Sequence, residues 1–197
     1  MTTTILKGTI VSAAAAGAPE ITEGGYLVAE DGVITGVFPT LPERYTGAPV
    51  EDFGSCLILQ TFADLHLHAP QYPMLGTGMD LTLLDWLNTY TFPAEARFAD
   101  PDYARDVYRK LSAELIAHGT TRVAMFSSLH TDATLILMEE LERAGVTGYV
   151  GKVNMDRNAA PGVLEETTEE SIRETERWLA ECGRFSYVRP MLTPRFT

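Results

Sequence analysis

His66 and His68 stand one residue apart at the end of an apolar, strand-like run. Side chains at i and i+2 of a strand share a face. The two imidazoles therefore point the same way, roughly 6 to 7 Å apart along the backbone, a spacing from which two ring nitrogens can converge on one metal ion. Catalytic zinc normally takes three protein ligands and keeps one position open for water, so the pair needs further ligands from elsewhere in the fold. Two strand histidines with ordinary hydrogen-bond partners fit the same spacing.

Composition narrows the partners. The 197 residues, 45% hydrophobic and 21% charged, suffice for one large domain or two small ones. A net charge of −12, without any cluster of Lys and Arg, argues against nucleic acid or an anionic membrane as the main partner. No run approaches the roughly eighteen apolar residues of a membrane span, and the first residues lack a basic region followed by an apolar core. Cys56 and Cys182 fit neither a disulfide framework nor a C-x-x-C pattern. Both are expected to be small buried apolar residues in a reducing compartment, and together with the missing span and leader this gives the expectation of a soluble cytoplasmic protein.

Periodicity identifies the elements that must carry the histidines. Residues 4–60 read as short strands: 5–11 is rich in β-branched residues, and 26–29 and 33–38 flank Asp31-Gly32, a strong hairpin signal. Residues 56–59 are apolar on both faces, as expected of a strand entering a covered core. Beyond Tyr72 helix and strand alternate. A helix over 80–90 is expected to end at Thr91-Phe92-Pro93. Asp100 as N-cap and Pro101 at the first helical position open a helix with Ala104, Val107, Tyr108, Leu111 and Leu115 on one face and Gly119 beyond its end. Strands are expected at 120–127, 146–153 and 187–192. A helix capped by Asp132 and closed by Gly145 lies between the first two. Thr167 and Glu170 form a capping box for another, with Ile172, Thr175, Leu179 and Cys182 on its apolar stripe. The acidic residues Glu165, Glu166, Glu169 and Glu170 read as a solvated helix start.

Strands alternating with helices of this length imply an α/β fold with a parallel sheet, either a small open sheet or the first half of a (β/α)₈ barrel. His66 and His68, 127–130, 154–156 and 193–196 all fall at C-terminal strand ends, where such folds place their active sites. A whole barrel takes about 250 residues, so the chain is expected to be incomplete.

Four blocks, 64–72 (DLHLHAPQY), 84–93 (LDWLNTYTFP), 150–156 (VGKVNMD) and 193–196 (TPRF), resemble in order the guanine deaminase family of the amidohydrolase superfamily. HxH alone marks only the superfamily; followed by Ala-Pro-Gln-Tyr, LNTYTFP and TPRF it is much narrower. The resemblance implies an N-terminal β-sandwich portion over 1–57 and the first four β/α units of a metal-dependent TIM-like barrel over 58–197. It also implies one zinc per subunit with His66 and His68 as ligands, Gln71 contacting the purine, and Arg195 with Phe196 holding the ring. The implied reaction is hydrolytic deamination of guanine to xanthine and ammonia by a zinc-activated water, in purine catabolism, by an enzyme that is a homodimer when complete. These residue types suit the substrate. An amide offers donor and acceptor to a purine edge, a guanidinium offers a rigid donor fork to a carbonyl oxygen, and a phenyl ring stacks on or walls the base.

The chain departs from the family at Gln60-Thr61-Phe62, where Pro-Gly-Phe is usual. The family's other metal ligands, two histidines and an aspartate, and its glutamate proton shuttle come from later strands. Neither His118 nor His130 matches them, so no catalytic residue is expected here and the chain alone is expected to be inactive. Two other functions compete: an amidohydrolase acting on another cyclic amidine or amide, and a non-catalytic half-barrel that binds a metal or a partner through its unclosed edges. Trp86 and Tyr90 read as wall residues, His118 as structural at a helix end, and Asp156 as a loop cap.

Overall fold

The computed structural model describes residues 2–13 and 17–196, the last by its backbone only. The chain divides into two units, Met1–Gln60 and Thr61–Thr197.

The first unit is a sheet of order β3-β2-β1-β4, built from β1 (Thr3–Ser12), β2 (Glu20–Glu30), β3 (Val33–Phe38) and β4 (Glu51–Leu59). Asp31 (φ 47°) and Gly32 (φ 80°) make the tight turn between β2 and β3 that the Asp-Gly pair predicts. Ile5, Val28 and Tyr45 form its core. The strand at 56–59 is present but does not enter a covered core. It runs parallel to β1 at the sheet edge, with Leu57 and Leu59 more than half exposed. Cys56 is exposed with it, contrary to the expectation of burial, because β4 lies at the edge of its sheet.

In the second unit β5 (Phe62–His68), β6 (Thr120–Phe126), β7 (Thr147–Gly151) and β9 (Val188–Pro190) form one sheet, in that order and parallel throughout. Its outer strands are β5 and β9. Where the family's Pro-Gly turn is missing, the entry to β5 is held from β6: Phe62 N donates to Gly119 O at 2.8 Å, and the Thr61 and Thr121 hydroxyls meet at 2.5 Å. Two strands are shorter than expected. The chain breaks step at Lys152, and β8 (Val153–Met155) pairs in parallel with β10 (Thr193–Phe196) in a separate two-stranded sheet. Residues 193–196 are thus a strand in their own right.

The helices largely follow their local signals. Asp100 accepts from the Asp102 and Tyr103 amides at the start of α3 (Pro101–Ala117), and Gly145 closes α4 (Thr131–Ala144) at φ 78°. Asp132 lies inside α4, whose N-cap is His130, and pairs instead with Arg177 at 2.8 Å. In α5 (Thr168–Glu181), which Thr167 caps, Ser171 and Trp178 are buried, whereas Ile172 is 55% and Leu179 39% exposed. The buried stripe is therefore rotated from the expected one. It is set by the fit of Trp178 and Cys182 into the core with Leu137, Met138 and Val188. Pro93 does not stop its helix. A four-residue turn, α1 (Leu83–Trp86), widens into a π-helical turn at Leu87–Thr91, and α2 (Phe92–Ala96) runs on directly from it, with Pro93 immediately after the widened turn. Among the described residues no helix is long and apolar enough to cross a membrane.

Candidate active site

β5 delivers His66 and His68 to its C-terminal end on one face, as the two-residue period requires. Their ring centroids lie 5.3 Å apart and nearly perpendicular, and His68 stacks on Phe126 of the neighbouring strand at 4.6 Å. Burial, the Arg195 charge and the His66 charge push the His68 imidazole down to about 4. At neutral pH it is therefore an uncharged ring with a lone pair to offer, which is the state a metal ligand needs. Two adjacent imidazoles on one strand face fit part of a divalent-metal site. Among the described residues no group of three or more His, Cys, Asp or Glu completes one.

Gln71 follows β5 in the 3₁₀ turn Ala69–Met74, and its side-chain amide acts on the Glu95 carboxylate, favouring its charged form. Arg195 reaches the same carboxylate from β10: its Nη1 lies 3.0 Å from Glu95 Oε2 and 3.2 Å from Oε1. The guanidinium also lies over the Phe92 ring, 5.7 Å from its centroid. Glu95 thus gathers Gln71 and Arg195, 124 positions apart, beside the histidine pair. Burial holds the Glu95 carboxyl above its ordinary range, opposed by Arg195 and Gln71. The side chain of Phe196 lies outside the described residues.

The remaining candidates sit elsewhere. His118 caps α3, its Nδ1 2.9 Å from Glu114 O, a structural place. His130 is at the start of α4, with Nε2 buried and without a hydrogen-bond partner among the described residues. Trp86 Nε1 donates to Thr77 O at 2.9 Å, and Asp156 binds Arg157 and the Thr168 hydroxyl, a loop-capping role. Glu165 is not part of a solvated helix start. It is buried against Lys152, at 2.6 Å, where a charge withdrawn from solvent needs an opposite charge beside it.

The model of the amidohydrolase family matches residues 57–196. The chain belongs to the amidohydrolase family. This amidohydrolase is 47% identical over 136 residues to the guanine deaminase of Rattus norvegicus, which covers 68% of the chain and 30% of the relative. It is 38% identical over 151 residues to the guanine deaminase of Escherichia coli, covering 75% and 33%. Among solved structures, guanine deaminase from C. acetobutylicum with bound guanine in the active site superposes with a TM-score of 0.92 at 42% identity, over the whole chain and 47% of the relative. The chain spans from about a third to about half the length of these relatives.

Sequence reasoning missed Glu95 in this amidohydrolase, although a signal existed. A carboxylate three residues after Phe92 lies on the same helical face as an apolar anchor, and Glu is almost never fully buried unless paired. The pattern announces a partner; only the fold names it.

Proposed function

We infer that the polypeptide carrying this sequence deaminates guanine hydrolytically to xanthine and ammonia, acting in purine catabolism. The observation that carries this reading is the convergence of Gln71 and Arg195 on Glu95, next to His66 and His68. A metal-binding pair alone would suit any amidohydrolase. A rigid donor fork and an amide beside it suit a flat heterocycle with mixed donors and acceptors along its edge. The similarity to a guanine deaminase with guanine bound supports the same substrate.

His66 and His68 are the residues that would hold zinc, one ion per subunit. When bound, zinc supplies an acidified water as nucleophile at neutral pH. The remaining roles belong to the chain. Arg195 donates to the purine carbonyl, Gln71 accepts from a ring N–H, and Phe196 flanks the base. The further metal ligands and the group that hands a proton to departing ammonia are expected on segments beyond those described. A cytoplasmic homodimer completes the proposal.

The test is to incubate the complete polypeptide with guanine and follow xanthine and ammonia in equal amounts, with zinc counted per chain. Stoichiometric xanthine with about one zinc per chain supports the proposal. Turnover of other cyclic amidines but not of guanine would move the substrate assignment elsewhere in the family.

A further inference from the structure

We propose that Glu95 is the positioning residue for purine recognition, fixing the Arg195 guanidinium and the Gln71 carboxamide in the one relative orientation that reads the 6-oxo edge of the substrate. The proposal rests on the guanine-deaminating reading above and adds a residue outside the metal ligands and the purine contacts.

Three observations carry it. First, Glu95 is 2% exposed and sits on α2, while its partners come from the turn after β5 and from β10. A carboxylate withdrawn this far from water is costly, and a well-packed apolar residue in its place is often neutral or stabilising. Its presence is therefore poorly explained by stability. Second, both Glu95 oxygens lie within 3.2 Å of Arg195 Nη1. A guanidinium is planar and carries five N–H donors in a fixed fork, so anchoring one nitrogen between two oxygens fixes where the rest of the fork points. Third, the Gln71 side chain acts on Glu95 from the turn after β5, favouring the charged carboxylate. A carboxylate is best met by the donor end of an amide. The NH₂ group faces Glu95, and the carbonyl oxygen is left as an acceptor for a purine N–H.

One carboxylate thus imposes a donor on β10 and an acceptor after β5. Guanine presents the complement, a carbonyl oxygen next to a ring N–H. The pair is pre-oriented before substrate arrives, so binding does not have to order two long side chains.

The test uses the complete polypeptide with Glu95→Gln, which keeps shape and removes charge. Two quantities are read: kcat and KM for guanine, and the inhibition constant of 2-aminopurine, which has the same ring and amino group but no 6-oxo group. The expected result is a guanine KM raised about tenfold or more with a smaller change in kcat, 2-aminopurine inhibition changed less than about twofold, and zinc content unaltered. Glu95→Asp, which retains the charge, should restore part of the discrimination. If Glu95→Gln does not accumulate as folded protein, the same ratio is read on Glu95→Asp, for which a measurable loss of guanine preference is then the expected outcome. Equal weakening of both ligands, or no change in either, would make Glu95 a structural staple and overturn the proposal. A wild-type polypeptide that leaves guanine untouched overturns the functional reading itself, a result distinct from either.

Discussion

Lys152 Nζ lies 2.6 Å from Glu165 Oε1, with the two side chains only 0% and 5% exposed. The second carboxylate oxygen accepts from the Met155 amide at 2.8 Å, and Nζ also donates to Val153 O at 3.3 Å. This buried pair ties the break between β7 and β8 to the loop before α5. It thereby sets the position of β8, on which β10 and Arg195 are hung.

Glu165→Ala should accordingly be severe. It leaves a buried ammonium with no counter-charge, a change that costs about 3–5 kcal/mol. Lys152→Met with Glu165→Leu removes both charges and should cost less. Urea unfolding monitored by tryptophan fluorescence gives the comparison; a single variant within about 1 kcal/mol of wild type would show that the pair is not truly dry.

Gly148 should not tolerate a side chain. It pairs with Val123 across β6 and β7 at φ 137°, and a Cβ there would overlap the Val123 carbonyl oxygen. Gly148→Ala is expected to lose roughly 3 kcal/mol or more, by strain and loss of strand pairing. Gly183→Ala is the control. A Cβ there meets no atom within 4 Å, and the change should stay within about 0.5 kcal/mol. Thermal melts of the two variants side by side decide the matter.

The two cysteines should differ in reactivity and in pH response. Cys56 is exposed; Cys182 is buried, its Sγ 3.7 Å from Met138 Sδ, and burial pushes its thiol from 9.0 up to about 11. Because the folded value lies above the ordinary one, the neutral thiol contributes stability that is fully present below pH 9 and is lost as pH rises toward 11. Iodoacetamide at pH 8 should label Cys56 in the native protein and Cys182 only after denaturation, located by peptide mass spectrometry. Equal labelling of both native thiols would contradict the burial of Cys182.

Metal retention and substrate binding should separate by residue. In the complete polypeptide, His66→Ala or His68→Ala should lose bound zinc and activity together. Gln71→Ala should keep its zinc and lose about tenfold in guanine kcat/KM, the worth of one oriented hydrogen bond. Zinc lost from the Gln71 variant would assign that side chain to the metal instead.

What the sequence determined by itself is local. Two histidines at i and i+2 share a face in any strand, and the face they share is where their rings meet at 5.3 Å. Asp100 with Pro101, Thr167 with Glu170, and Gly145 mark helix ends through contacts within a few residues, and all three stand where expected. Four alternating units implied a parallel sheet, and the order β5-β6-β7-β9 follows chain order. The tertiary structure decided whatever depends on distant partners. Glu95 meets Arg195 across 100 positions, and Lys152 meets Glu165 only because the chain breaks from one sheet to another at that point. Cys56 and Leu57 carry the composition of a buried strand yet lie at an exposed edge. Period and propensity act over one or two turns of chain. Burial and charge pairing depend on which elements become neighbours, and that is settled by packing the whole sheet at once.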